Sequence, residues 1–484
     1  MKRALSDFLP AYEIPAALRT LAVTALCQDS RKVTPGAAFV ALAGSHGHGL
    51  QHCHDAEQRG AALLIVDAGD TVDSALPVLR INALQKRLSE LAAAFYTYPG
   101  RTMAITAVTG TNGKTSVAHL LAQAWHLLGR RAGVLGTLGN GPWGELSDAS
   151  HTTADAVSLQ EHLHALQRAG ISHLAMEASS HGLHQHRMDA VPLRCAVFTN
   201  LTRDHLDYHG DMESYAAAKA RLFSWQGLER AVINADDPWS PALLARIAAP
   251  VDILRYGQGA NAELRLTQVQ TSLAGAVAEL ETPWGRATLQ SQLLGVFNLH
   301  NVLAVLACLL GEGVALTPAL EVIAQLQPIA GRMQTIALPG RPLVVVDYAH
   351  TPDALYQVLQ ALQAHRQARL ICVVGCGGQR DRGKRPLMAG IACAHADVVW
   401  LTSDNPRDED AQRIIDEMLG GASKPVQVEP DRARAIAAAV AQAQAQDIVL
   451  IAGKGHETYQ EVAGVRHDFD DRVHARRALE AWTQ

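Results

Sequence analysis

The segment Thr109-Gly110-Thr111-Asn112-Gly113-Lys114-Thr115-Ser116 constrains the fold of this chain more than any other. An apolar, strand-like run, Met103–Val108, precedes it, and a helical pattern from Ser116 to Leu128 follows. A Gly-rich turn in that setting lets backbone N–H groups close around phosphate oxygens, and the helix N-terminus adds a favourable dipole. Lys114 can then reach the β/γ-phosphates of a nucleotide, and the Thr115 hydroxyl can ligate Mg²⁺. The alternative is a Gly-rich turn with an incidental lysine, which the strand–turn–helix context disfavours. The loop is the short G-x-x-G-K-T form, because Val108 stands where the longer spelling has glycine. On its own it indicates nucleotide binding and says little about the reaction.

Around this loop the pattern is alternating β and α. Further strand candidates follow at Ala132–Leu135, His173–Glu177 and Ala196–Asn200, with helical stretches between them, which implies a mainly parallel sheet covered by helices. Before it, short apolar runs such as Ala37–Leu42 and Ala61–Val66 are split by Gly and Pro, and Tyr98-Pro99-Gly100 reads as a linker. A second restart comes near Gly331. Strand-like runs at Pro342–Asp347, Leu370–Gly375, Val398–Thr402 and Ile448–Ile451 alternate with helical ones at Asp353–His365 and, Ala-rich, 432–445. At 484 residues, too many for one ordinary core, the chain divides into three expected units: 1–97, 98–335 and 336–484.

Composition narrows the function classes. A formal net charge of −5 argues against a general nucleic-acid binder. The seven cysteines are dispersed without a CxxC pair, which reads as buried thiols in a reducing compartment. Asp7, Pro10 and Glu13 interrupt any apolar signal core, and the longest apolar run, Val302–Leu310, is far short of a membrane span. A cytoplasmic location without membrane insertion is expected.

Two loops after strands carry concentrated polar chemistry. Glu177 ends its strand, where an open α/β sheet points a carboxylate into the ligand crevice as an oxygen ligand for Mg²⁺. For Glu177 alone, a carboxylate that merely meets water competes with this reading. The run Asn200-Leu201-Thr202-Arg203-Asp204-His205-Leu206-Asp207-Tyr208-His209 also follows a strand, and two such loops in one sheet favour a site. Lys219, in a helical pattern, reads from its surroundings alone as a surface lysine.

Taken together, these segments resemble the Mur ligases over essentially the whole chain. The anchors are Asp29-Ser30-Arg31, Thr109–Ser116, Thr152-Thr153, Glu177–Arg187, Asn200–Gly210 and Ala216–Phe223. Downstream they are Gly295–Asn301, Gly331-Arg332-Met333, Asp347–Leu355, Gly375–Pro386, Asp404–Arg407 and Gly453–Glu457. The resemblance implies a three-domain α/β architecture. It comprises a smaller N-terminal domain for a UDP substrate, a central P-loop ATPase, and a C-terminal Rossmann-like domain that brings an amino acid. It implies ATP held by Gly110, Thr111, Asn112, Gly113, Lys114, Thr115 and Ser116, with Asn298 and Asn301 on the adenine side and Arg332 and Asp347 approaching from across the domain boundary. Two Mg²⁺ sites are implied, served by Thr115, Glu177, His205 and a CO₂-derived carbamate on Lys219, which makes Lys114, Glu177, His205 and Lys219 the catalytic set. Two cations would offset the oxygens that crowd together in phosphoryl transfer.

Substrate positions carry over in the same way. Ser30 and Ser45-His46-Gly47 correspond to the uridine diphosphate site, although the latter three match poorly in residue type. His151, Thr152, Thr153, Ser179, Gln185 and Arg187 correspond to the muramyl-peptide contacts, with His151 where asparagine is common. Gln379 stands where aspartate is usual. Asp404-Asn405-Pro406-Arg407 matches the signature of members that add meso-diaminopimelate, although Asn-Pro would form a turn there in any case. Diaminopimelate carries a distal carboxylate that lysine lacks, and Arg407 can pair with it. Arg380, Gly453 and Glu457 resemble the remaining contacts, with Glu457 available for the distal ammonium. The implied reaction joins meso-2,6-diaminopimelate to the D-glutamate γ-carboxylate of UDP-N-acetylmuramoyl-L-alanyl-D-glutamate through an acyl phosphate, with a monomer expected. Rival readings are a lysine-adding member, a D-alanyl-dipeptide-adding member, folylpolyglutamate synthase, and a P-loop switch without ligase activity. Asp404–Arg407 argues against the first two, Asp29-Ser30-Arg31 against the third, and the C-terminal motifs against the last.

Overall fold

The computed structural model describes residues 2–10, 13–44, 47–149 and 151–483. Among the described residues three sheets of four or more strands succeed one another along the chain, beside two small two-stranded ones. The first is four-stranded and parallel, in the order Leu26–Cys27, Ala38–Val40, Leu63–Asp67, Val78–Ile81. The second has ten strands and is parallel through its middle, with antiparallel strands at both edges. The third has six strands, of which only Gln334–Ile336 is antiparallel to its neighbour.

The strand that leads into the P-loop, Ala104–Thr109, lies in the middle of the second sheet, between His173–Glu177 and Cys195–Phe198. It alternates as a doubly covered strand must. Ile105 and Ala107 join the core under the helix Ala156–Arg168, and Val108 joins the opposite core under Lys114–Leu127 and Val296–Gly311. Each fully buried aliphatic side chain contributes about 1.5–3 kcal/mol. Successive connections leave this strand toward opposite sides of the sheet, which opens a crevice at its carboxyl end. The third sheet follows the same rule. Leu343–Asp347 and Ile448–Ala452 are adjacent and end beside one another.

Element positions follow the sequence reading with small shifts at the ends, and two expectations change. The Tyr98-Pro99-Gly100 segment is not a loose linker. Thr97 and Tyr98 take left-handed conformations, Tyr98 N–H donates to Ala93 O at 2.7 Å, and Pro99 and Gly100 are buried in a short 3₁₀ turn, Pro99–Thr102. The Ala-rich helix spans Arg432–Ala441, short of residue 445. Asp447 accounts for this: its carboxylate accepts from Gln444 N–H at 2.8 Å and Arg369 N–H at 2.8 Å, turning the chain into the next strand. All seven cysteines are free thiols, six buried and Cys27 half-buried. Among the described residues no helix is long and apolar enough to cross a membrane.

Candidate active site

Gly113 takes φ +87°, and a Cβ there would lie 2.5 Å from Asn301 Oδ1, so only glycine lets the loop turn against the helix Val296–Gly311. Asn112 N–H donates to Asn200 Oδ1 at 2.9 Å, and Asn200 Nδ2 returns a bond to Asn112 O at 3.2 Å, tying the P-loop to the next strand end. Lys114 Nζ folds back on Gly110 O at 2.9 Å and Thr111 O at 2.8 Å. Burial lowers its pKa, with Glu177 and Asp204 opposing. Thr115 Oγ1 donates to both Glu177 oxygens at 3.0 Å, and Thr137 N–H donates to Glu177 Oε1 at 2.7 Å. Glu177 is only 1% exposed, and among the described residues no Lys, Arg or His lies within ion-pair distance of it. A buried carboxylate without a cationic side chain, facing the P-loop hydroxyl, suits a metal cation.

Lys219 corrects the surface reading. It is 1% exposed on the helix Met212–Ala220, its Nζ donates to Gly110 O at 2.7 Å, and it lies 4.6 Å from the Tyr215 ring centroid. Lys114 and Lys219 therefore share one carbonyl. Burial first, and then the Lys114 charge, hold the Lys219 pKa well below its ordinary value. Its periodicity could not reveal this, because the covering layer is the P-loop itself. His205, in a left-handed conformation, packs 4.9 Å from His181 between ring centroids, and its Nε2 lies 3.3 Å from Asp204. Burial drives the His205 pKa down to about 3 despite Asp204.

A second cluster adjoins this centre. Thr153 Oγ1 donates to Glu177 O at 2.7 Å and accepts from Ser179 N–H at 3.0 Å. Arg187 donates to Thr153 O at 2.7 Å and, through Nε, to Gln185 Oε1 at 3.0 Å. Thr152 accepts from Thr137 Oγ1 at 3.0 Å, and His151 is exposed beside it. In the first unit Ser30 is buried and Gly47 exposed, while Ser45 and His46 lie outside the described residues. That unit is joined to the cluster: Gln28 accepts from Val157 N–H at 3.4 Å, and Ala156 and Val157 complete its core.

The third unit closes over the nucleotide end. Arg332 Nη2 donates to Thr115 Oγ1 at 3.1 Å, its guanidinium lies 4.4 Å from the Tyr348 ring centroid, and its Nε is buried without a partner. Asp347 spends both oxygens on the main chain, accepting from Met333 N–H at 2.7 Å and Ala349 N–H at 2.8 Å. Gly331 touches the loop after Ile448–Ala452 so closely that a Cβ would lie 2.1 Å from His456 N. Asn112 Nδ2 donates to Asp353 Oδ2 at 3.1 Å across the boundary. Asn298 and Asn301 are buried, with Asn301 Nδ2 on Asn298 Oδ1 at 3.0 Å and Asn298 Nδ2 on Leu294 O at 2.8 Å.

One cavity of about 590 Å³ runs from the P-loop to Arg380, Asp404, Asn405, Arg407, Gly453 and Glu457. Thr152, Glu177, His205 and Arg332 also line it, whereas Ser30, Thr153, Ser179, Gln185, Arg187 and Lys219 lie outside its walls. At its far end Pro406 turns the chain into Arg407, which takes φ +53°. That conformation is held by Arg407 N–H on Glu461 O at 3.0 Å and Ala463 N–H on Arg407 O at 2.7 Å. The Arg407 guanidinium donates to Gly378 O at 2.7 Å and sits 3.7 Å from Glu461. Glu457 Oε2 accepts from Asn405 Nδ2 at 2.8 Å and Lys454 Nζ at 2.9 Å. Burial would raise the Asp404 pKa, but Lys454 and Arg432 outweigh it and the net shift is downward.

Residues 22–96 match the family model described as Mur ligase family, catalytic domain, residues 108–309 the Mur ligase middle domain, and residues 331–455 the Mur ligase, glutamate ligase domain. A protein of Ectopseudomonas mendocina (strain ymp), named UDP-N-acetylmuramoyl-L-alanyl-D-glutamate–2,6-diaminopimelate ligase, is 49% identical, the alignment covering 100% of this chain and 99% of that one. This chain belongs to the Mur ligase family. A solved structure of a UDP-N-acetylmuramoyl-L-alanyl-D-glutamate–2,6-diaminopimelate ligase superposes with a TM-score of 0.71 at 40% identity, covering 99% of both chains. The Thermotoga maritima MurF ligase in complex with ADP gives 0.65 at 20% identity, covering 95% of this chain and 98% of that one, a likeness of fold.

Within this Mur ligase fold, sequence reasoning missed several residues that shape the cavity. Asp353 and His350 line it from the third unit, and burial lowers the His350 pKa to about 4. Lys454 and Arg432 are fully buried. Arg432 forms a two-pronged pair with Asp471 at 2.8 and 2.7 Å and reaches Ser403 O and Ala452 O at two strand ends. The Gly453-Lys454-Gly455 run offered a signal for Lys454. Nothing in the Ala-rich stretch marked Arg432.

Proposed function

We propose that the chain is an ATP-dependent ligase. It adds meso-2,6-diaminopimelate to the D-glutamate γ-carboxylate of UDP-N-acetylmuramoyl-L-alanyl-D-glutamate, a step of peptidoglycan precursor synthesis, and works in the cytoplasm as a monomer. The observation that carries this reading is the single cavity joining the P-loop to Asp404–Arg407 and Glu457. Of the expected divisions, 97/98 falls between the first two matched segments, whereas 335/336 lies just inside the third, which begins at residue 331.

In this reading Gly110–Ser116 cradle the ATP phosphates, with Lys114 unfolding from its carbonyl partners onto the β/γ-oxygens. Asn298 and Asn301 border the adenine, and Arg332 and Asp347 complete the nucleotide side. Thr115 and Glu177 hold one Mg²⁺, and His205 and Lys219 hold a second. When bound, these ions screen the charge that develops on the transferred phosphoryl group. The fit of Lys219 to a carbamate rests on its place, buried with its Nζ on Gly110 O beside Lys114, where burial also lowers its pKa. Only the neutral amine adds to CO₂, and the carbamate puts a negative charge beside Lys114.

Ser30 with Ser45, His46 and Gly47 receives the uridine diphosphate. His151, Thr152, Thr153, Ser179, Gln185 and Arg187 hold the muramyl peptide, so that its γ-carboxylate meets the γ-phosphate and becomes an acyl phosphate. Arg380, Asp404, Asn405, Pro406, Arg407, Gly453 and Glu457 bring the amine, whose attack expels phosphate. The protein's work is positioning and charge neutralisation. The test is ADP release with ATP, Mg²⁺ and UDP-muramyl dipeptide. Release dependent on diaminopimelate supports the reading, and release independent of any amine refutes it.

A further inference from the structure

We infer that Lys454 is a positioning residue that balances the charge of the amine end of the cavity, so that a distal amino-acid group is accepted and a singly charged one of either sign is rejected. The inference deepens the function just proposed and rests on it.

Lys454 is 0% exposed, and its ammonium is spent inside the site. It donates to Asn405 Oδ1 at 2.9 Å and to Glu457 Oε2 at 2.9 Å. Glu461 N–H also donates to Asn405 Oδ1 at 3.0 Å, so the Asn405 amide has one orientation, with Nδ2 on Glu457 Oε2 at 2.8 Å. Glu457 Oε2 is thereby saturated. Among the described residues its Oε1 has only the Tyr348 hydroxyl, at 3.4 Å, and is the oxygen open to a substrate.

The charges around this oxygen cancel. Arg432 pairs with Asp471, Arg407 stands 3.7 Å from Glu461, and Lys454 is bonded to Glu457 and lowers the pKa of Asp404. Counted with Arg380, which lines the same cavity, these groups carry as many positive as negative charges. A distal group carrying both ammonium and carboxylate enters this environment without changing its net charge. The terminal ammonium of lysine adds a positive charge and brings no second carboxylate to offset it at Arg407. A lone distal carboxylate leaves Glu457 Oε1 without a donor. Both penalties come from a charge left uncompensated in a desolvated site. Without Lys454 the end carries one carboxylate in excess, and an ammonium alone would satisfy it.

The test compares kcat/KM for diaminopimelate and lysine in the wild type, Lys454→Gln and Lys454→Arg, with KM for ATP measured alongside. Glutamine keeps a donor for Asn405 and Glu457 but no charge. The preference for diaminopimelate over lysine should fall at least about 10-fold in Lys454→Gln, with KM for ATP unchanged and the preference restored in Lys454→Arg. An unchanged preference in Lys454→Gln overturns the inference. Should the variants fail to fold, the wild type decides with 2-aminopimelate, which has a distal carboxylate and no ammonium. Inhibition constants for lysine and 2-aminopimelate that are comparable, and both far above the KM for diaminopimelate, support charge balance. Lysine binding much better than 2-aminopimelate contradicts it. A wild type that releases no ADP on diaminopimelate removes the proposed function itself. A wild type active on diaminopimelate, with its preference untouched in Lys454→Gln, removes only the role of Lys454.

Discussion

At the P-loop, most polar contacts run to the main chain: Lys114 and Lys219 meet on Gly110 O, and Thr153 meets Glu177 O. At the Asp404–Glu457 end they include pairs of opposite charge, Arg432 with Asp471 and Lys454 with Glu457, and Arg432, Asp471 and Lys454 are all fully buried. The nucleotide end must recognise phosphates common to many enzymes, and glycine turns with a helix N-terminus do that from backbone geometry. The amine end must separate two amino acids that differ by one carboxylate, which takes fixed charges in fixed number. Damage should therefore stop the chemistry at the first end, and alter stability and selectivity at the second.

The largest expected effect is at Lys219. Lys219→Ala should lower turnover by about 1,000-fold, the upper range for losing one preorganised electrostatic contributor. Calorimetry should find UDP-muramyl dipeptide binding largely intact, and wild-type turnover would remove the carbamate role. At the other end, Asp471→Asn leaves Arg432 buried without its partner and should cost about 3 kcal/mol in denaturant unfolding. A shift within measurement error would show that the buried pair is not what sets the strand ends Ser403 and Ala452. Arg407→Ala should raise the apparent KM for diaminopimelate about 30-fold, roughly 2 kcal/mol, while leaving KM for ATP alone. Equal changes in both constants would erase the distinction between the two ends.

The smallest effect is on pH. Burial holds His119 at about 4, His350 at about 4 and His456 at about 3, against 6.5 for an exposed histidine. Their folded pKa values lie below the unfolded ones, so between pH 6.5 and about 4 the unfolded chain takes up protons that the folded chain refuses. Stability should decline as pH falls through that window, and these groups should add no slope above it. Unfolding midpoints at pH 7.5, 6.0 and 5.0 would show this, and a rise on acidification would contradict it.

The same contrast governs what could be read from the chain alone. Gly110, Gly113, Lys114 and Thr115 are legible because backbone requirements fix residue type at fixed spacing. The strand Ala104–Thr109 is legible because burial on both faces leaves a continuous apolar run. Lys219 is not legible from pattern, since a helix reports its own periodicity and not the loop folded over it; only the family resemblance marked it. Arg432 sits in a helix that its alanines reveal only as a helix, and its pairing partner, Asp471, lies 39 residues on. The bond that ties Asp347 to the Met333 main chain emerges only when the two segments are folded together.

The central claim is that one cavity couples ATP to a particular amine, and amine-dependent ADP release measures it most directly. With ATP, Mg²⁺ and UDP-muramyl dipeptide present, diaminopimelate should trigger ADP release and lysine should give little. Equal release with both amines, or release with neither added, would contradict the account.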